Sequence, residues 1–163
     1  MINRHLSKLL RNQLNMFEHF FDKDLFLHLS GDITKEDVIK TMYEKAHDKG
    51  IVDERFIDSV LQREEIGDTN MNEVFALPHP MELCATDTKV VVALLDTPIK
   101  WNESNSIQIV FMLVIKQGEM QDFEHLYDIF IEIINDNKLE QKIIDSRTYD
   151  EFINVLYDGI SIE

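Results

Sequence analysis

A chain of 163 residues with 44% hydrophobic and 29% charged side chains is about one globular domain with a single sizeable core, which excludes a disordered polymer and predicts no second domain. Sixteen basic residues against 31 acidic ones give a formal net charge of -15, a field that repels phosphate backbones, speaks against nucleic-acid binding and suits a basic protein partner. No apolar run approaches the roughly 20 residues needed to cross a bilayer, the N-terminal residues carry no signal-peptide core, and Cys84 is the only cysteine, so the expectation is a cytoplasmic protein with no intramolecular disulfide and no multi-cysteine zinc site.

Residues 1–18 place Leu6, Leu9, Leu10, Leu14 and Phe17 at helical spacing, with Arg4, Lys8 and Arg11 among the polar positions. They predict an amphipathic leading helix, either a docking element or a linker from something larger. Leu25-Phe26-Leu27-His28-Leu29 predicts a strand closed by Gly31-Asp32, with His28 on its more polar face. Thr34 and Asp37 form a near capping box, and Val38, Met42, Tyr43 and Ala46 continue the helix that Gly50 ends. A second helix is expected from about Asp53 to Glu65, through Phe56, Ile57, Val60 and Leu61. It leaves Arg63 in the last turn, either as a solvated charge favoured by the helix dipole or as an anion-binding group aimed at a site.

Val74-Phe75-Ala76-Leu77 is a short apolar run of the kind that fits a buried strand, and it ends in Pro78-His79-Pro80. Each proline biases the residue before it toward extended geometry, so no helix runs through the segment and His79 stands at the strand exit with little backbone freedom. The segment either punctuates a loop or presents a reactive imidazole. Near neutral pH that ring is partly unprotonated and serves as nucleophile, acid-base group or ligand.

Val90 to Leu95 predicts a central strand, Asp96-Thr97-Pro98 a break, Ile99-Lys100-Trp101 a short edge strand, and Asn102 to Asn105 a polar turn before a second continuous apolar strand from Ile107 to Ile115. Three helical stripes follow: Phe123, Leu126, Tyr127, Phe130, Ile131 and Ile134; then Leu139, Ile143 and Ile144; then Phe152, Ile153, Leu156 and Tyr157. His125 falls near the start of the first. Interleaved strands and helices predict an α/β fold, a three-layer sandwich with a mixed β-sheet flanked by α-helices.

The chain has no Walker loop, no Gly-x-Gly-x-x-Gly, no Gly-x-Ser-x-Gly and no His-Glu-x-x-His. His79, Cys84 and His125 with a carboxylate could make up a mixed metal site, but no ligand spacing demands one. The expectation is no metal and no cofactor.

Read together, Leu61-Gln62-Arg63-Glu64-Glu65, Asn72 to Pro80 and Glu124-His125-Leu126 resemble the enzyme IIA domain of the fructose/mannitol class of the bacterial phosphoenolpyruvate-dependent sugar phosphotransferase system. The resemblance divides the chain into a leading helix or linker over 1–18 and a IIA-like domain over 19–163. It implies that His79, in the Ala-x-Pro-His motif, accepts a phosphoryl group from the histidine phosphocarrier protein and passes it to a IIB partner in sugar uptake. It also implies that Arg63, sixteen positions earlier, faces the phosphate and that His125, forty-six positions later, is a second active-site histidine. Many transport subunits of that family approach the histidine through glycines and often follow it with one, whereas here Asn70-Met71-Asn72-Glu73 has none and Pro80 follows. That ending is more similar to the IIA-like domains of antiterminator/activator-type sugar-operon regulators, in which phosphorylation tunes the regulator. Residues 1–18 would then connect to upstream regulatory domains, or else belong to a stand-alone subunit.

Overall fold

The structure is a computed structural model that describes Asn15 and residues 17–160. Most of the leading helix expected over 1–18 lies outside those residues; Asn15, Phe17 and Glu18 are helical, and the helical stretch runs on to Phe20. The elements that follow are β1 (Phe21–Leu29), α1 (Lys35–Asp48), α2 (Arg55–Ile66), β2 (Phe75–Ala76), β3 (Lys89–Lys100), β4 (Ser106–Val114), α3 (Met120–Ile134), α4 (Asn137–Ile144) and α5 (Tyr149–Gly159).

The strands form one mixed sheet in the order β1-β3-β4-β2. β1 runs parallel to β3, β3 antiparallel to β4, and β4 parallel to the two-residue edge strand β2. Side chains alternate across a strand, so the apolar runs of β3 and β4 supply two cores at once. Val90, Val92 and Leu94 with Phe111 and Leu113 face the core built with Leu126, Phe130, Leu139 and Phe152 of α3 to α5. Val91, Ala93 and Leu95 with Val110 and Met112 face the core built with Val38, Met42, Phe56 and Val60 of α1 and α2. The expected three-layer sandwich is therefore present, with helices on both faces of a mixed sheet.

Local signals set several boundaries. The Thr34 hydroxyl accepts the Asp37 N–H at 3.1 Å while the Asp37 carboxylate accepts the Thr34 N–H at 3.1 Å, a complete capping box. Gly50, at φ 78°, follows the α1 cap residue Lys49 in the left-handed conformation that costs glycine nothing. Two expectations need correction. Asp96-Thr97-Pro98 does not break the strand, and Ile99-Lys100 is not a separate edge element: β3 runs through them to Lys100, with Ile99 opposite Ile107 after a register shift beyond Leu94. That bulge tolerates a proline without an N–H, and the Gln108 side-chain amide donates to the Leu95 and Asp96 carbonyls at 3.1 and 3.3 Å. On α3 the buried stripe is Leu126, Ile129, Phe130 and Ile133, whereas Tyr127 is exposed. The spacing i, i+3, i+4, i+7 rotates the buried face away from the expected one.

Phe111 is the hub of the aromatic core, fully buried with ring centroids 4.9 Å from Phe75, 5.7 Å from Phe130 and 5.8 Å from both Phe21 and Phe152. Phe111→Ala leaves a void that four rings cannot close, and a loss of about 3–5 kcal/mol is expected. Urea unfolding checks it: the midpoint falls with little change of slope, and a loss below about 1 kcal/mol would show that the core repacks.

The hydroxyl of Tyr149 donates to the Phe21 carbonyl at 3.2 Å, tying α5 to the start of β1. Burial pushes its pKa from the ordinary 10.0 up to about 12, with Tyr157 and nearby carboxylates adding to the shift. A raised folded-state value means that folding favours the protonated phenol. Its contribution is complete below pH 10.0 and is lost as the pH rises toward about 12. Across that interval Tyr149→Phe should lose less stability than the unsubstituted protein in parallel denaturation curves. Identical alkaline losses would contradict the assignment.

Candidate functional site

His79 leaves the short edge strand β2 in a loop whose position is fixed from both sides. The Leu113 N–H of β4 donates to the Pro78 carbonyl at 2.9 Å, and the Leu77 N–H donates to the Thr69 carbonyl at 3.0 Å. Pro78 and Pro80 are buried while His79 is half-buried, so the prolines anchor the turn and the imidazole is left at the surface. Its Nδ1 lies 2.8 Å from the Leu77 carbonyl oxygen. A carbonyl oxygen only accepts, so Nδ1 carries a proton, and in the neutral ring the free lone pair is on Nε2. In that form Nε2 is the nitrogen open to an electrophile.

The approach to the strand has no glycine and does not need one. The Asn72 side-chain oxygen accepts the Val74 and Phe75 N–H groups, both at 2.9 Å, and turns the chain without left-handed backbone. Among the described residues no non-glycine has a positive φ. The Asn72 amide also donates to the Glu140 carboxylate of α4 at 2.7 Å. Burial pushes the Glu140 pKa up, opposed by that hydrogen bond.

Arg63 and His79 line the same cleft, of about 450 Å³, together with Leu83, Leu113, Phe123 and Tyr127. The Arg63 guanidinium donates through Nη1 to the Gly67 carbonyl at 2.6 Å, satisfying an acceptor just past the end of α2. It has no ion-pair partner among the described residues, whereas Arg55 is paired with Asp53 and Arg147 with Asp96. A guanidinium held by a neutral carbonyl keeps its full charge for an anion. Next to it in sequence, Glu64 is buried; Lys35 lies 2.9 Å from its carboxylate and the Thr69 hydroxyl donates to it. Because Thr69 also receives the Leu77 N–H, this pair steadies the floor beneath His79.

His125 is placed differently. It lies on α3 between Phe123 and Tyr127 but is exposed, and it is not among the residues lining the cleft. Arg63 and His79 thus line one cleft, and His125 stands exposed on the helix whose Phe123 and Tyr127 also line it. Among the described residues no three His, Cys, Asp or Glu side chains are grouped to hold a metal ion, so the mixed site of His79, Cys84 and His125 is not assembled there. Nor is any helix among them long and apolar enough to cross a membrane.

A family model described as "Phosphoenolpyruvate-dependent sugar phosphotransferase system, EIIA 2" matches residues 19–159. The chain belongs to that family. This IIA domain is 27% identical over 150 residues to the "Probable licABCH operon regulator" of Bacillus subtilis, a match that covers 92% of this chain and 23% of the regulator, so the chain spans about a quarter of that relative's length. It is 25% identical over 125 residues to the mannitol-specific phosphotransferase enzyme IIA component of the same organism, covering 75% of this chain and 85% of that protein. Its fold matches a chain in the complex of enzyme IIAMTL and phosphorylated enzyme IIBMTL from Escherichia coli, with a TM-score of 0.72 at 18% identity over 85% of this chain and 99% of that one.

Several residues around the IIA site are not evident from sequence. Asn72 carries a turn signal of its own, an Asx side chain two residues before an extended run. Ser59 carries none, because the two N–H groups it accepts lie 22 and 23 residues further along the chain. Among the described residues the exposed large hydrophobics are Ile66 at 69%, Met81 at 51% and Tyr127 at 45%. Each lies in or next to a segment that lines the cleft, and exposed Glu65, Asp68, Glu82, Glu124 and Asp128 are near them in sequence.

Proposed function

We propose that this domain accepts a phosphoryl group on Nε2 of His79 from the histidine phosphocarrier protein and hands it to a IIB partner in sugar uptake. The observation that carries this reading is the hydrogen bond from Nδ1 to the Leu77 carbonyl, beside an arginine with no carboxylate partner among the described residues. The Nε2 lone pair attacks phosphorus in line, the new N–P bond forms as the bond to the donor's imidazole breaks, and the pair that held the phosphoryl group stays on the donor nitrogen. His79 keeps its Nδ1 proton throughout, and the Leu77 carbonyl offsets the positive charge that grows on the ring. The Arg63 fork meets the equatorial oxygens. His125 enters as a second active-site histidine through the family resemblance alone. No metal or cofactor takes part in this reading.

The partner reading rests on the exposed apolar residues Ile66, Met81 and Tyr127, each with exposed carboxylates near it in sequence, and on the net charge of -15, which suit a partner face that is partly apolar and basic. The relative solved as a IIA–IIB complex supports the IIB step. A second reading has its own support: the similarity to an operon regulator of which this chain spans 23% favours a domain whose phosphorylation state controls attached regulatory domains. The chemistry at His79 is common to both. Incubation with phosphoenolpyruvate, enzyme I and the phosphocarrier, followed by intact-mass spectrometry, tests it. One acid-labile phosphoryl group per chain is expected, and none with a cognate phosphocarrier would overturn the reading.

A further inference from the structure

Between the Pro78 carbonyl, held by β4, and the residues after Pro80, the two buried prolines offer no N–H to tie the backbone. The first two N–H groups beyond Pro80 both go to one atom. The Met81 N–H donates to the Ser59 hydroxyl oxygen at 2.8 Å and the Glu82 N–H donates to it at 3.2 Å. Ser59 lies on α2, one turn before Arg63, and residues four apart share a helix face. One rigid helix therefore holds the far end of the histidine loop and carries the guanidinium beside it in the cleft.

We infer that Ser59 is the positioning residue that holds the His79 imidazole in register with Arg63 and keeps its Nδ1 proton on the Leu77 carbonyl. The inference rests on the reading of His79 as phosphoryl acceptor, and extends it. Ser59 touches neither the ring nor the transferred group; it acts through the Pro80-Met81-Glu82 backbone. Two N–H groups taken by one oxygen stop the loop from swinging about Pro80. Without that stop, a displacement of the order of 1 Å at Nε2 would cost about a hundredfold in transfer rate.

Two readouts on Ser59→Ala and Ser59→Thr test it. In nitrogen-15 NMR of the full chain, the unsubstituted protein should show His79 with its proton on Nδ1 alone, Ser59→Ala a mixture of both tautomers, and Ser59→Thr, which keeps the hydroxyl acceptor, the original single form. In phosphoryl uptake, Ser59→Ala should lower the maximal rate about tenfold to a hundredfold, with the half-saturating phosphocarrier concentration unchanged and Ser59→Thr restoring the rate. An unaltered tautomer in Ser59→Ala, a loss confined to half-saturation, or a threonine variant no better than alanine would overturn the inference. The tautomer comparison needs no phosphorylation. A chain that takes up no phosphoryl group would therefore sink the acceptor reading while the NMR still decides the role of Ser59.

Discussion

His79→Ala should take up no acid-labile phosphoryl group under conditions in which the unsubstituted chain takes up one, and it should do so without unfolding. The two halves of that expectation have separate causes. The ring is half-buried and its one described hydrogen bond, to the Leu77 carbonyl, is local, so its loss costs the fold about 1 kcal/mol. The loop stays in place because its anchors are backbone groups: Leu113 to Pro78, Leu77 to Thr69, and Met81 and Glu82 to Ser59. A nucleophile has no such redundancy. Mass spectrometry beside a thermal melt checks both, and a labelled, folded alanine variant would move the acceptor to another side chain.

Arg63→Ala is expected to have the next largest effect, on rate and not on capacity. Removing a preorganised donor from charge that develops in a transition state costs about 10²–10³ in rate, and the guanidinium is available for that charge because only the Gly67 carbonyl is described as holding it. The final extent of labelling should be unchanged, since the acceptor is untouched. Arg63→Lys should recover only part of the rate, because a point charge cannot reproduce the planar fork. Stopped-flow or quench-flow transfer from the phosphorylated phosphocarrier reads this directly. A rate within about twofold of the original would reduce Arg63 to a helix-terminal charge of the kind that is worth a few tenths of a kcal/mol.

Features written in neighbouring residues were legible in the sequence. The Thr34 capping box, the glycine after α1, the apolar runs of β3 and β4 and the proline-held His79 all depend on short-range chemistry, and they lead to the three-layer arrangement that is found. What sequence reading missed depends on partners distant in the chain or on the other side of the sheet. Pro98 looked like the end of a strand because nothing nearby shows that Gln108 meets the carbonyls of the bulge. Tyr127 looked like core because only packing against the sheet decides which part of an apolar helix is covered; here that part runs through Ile129 and Ile133. Ser59 is one more polar residue on a helix until the loop 22 residues later is seen to rest on it. No glycine precedes His79 in that approach, and the two roles of the Asn72 side chain explain how the chain turns without one.

His125 rests on motif spacing alone. Its distance from His79 in the chain fits the family, yet it stands exposed on α3 while its neighbours Phe123 and Tyr127 line the cleft. Spacing along a helix selects a face, and two residues either way select the opposite one.

The most direct test of the account is to locate the phosphoryl group by phosphorus-31 and nitrogen-15 NMR on the phosphorylated chain. One phosphoryl group is expected, bonded to Nε2 of His79, with the proton still on Nδ1. A group on Nδ1 of His79, or on His125 instead, would contradict it.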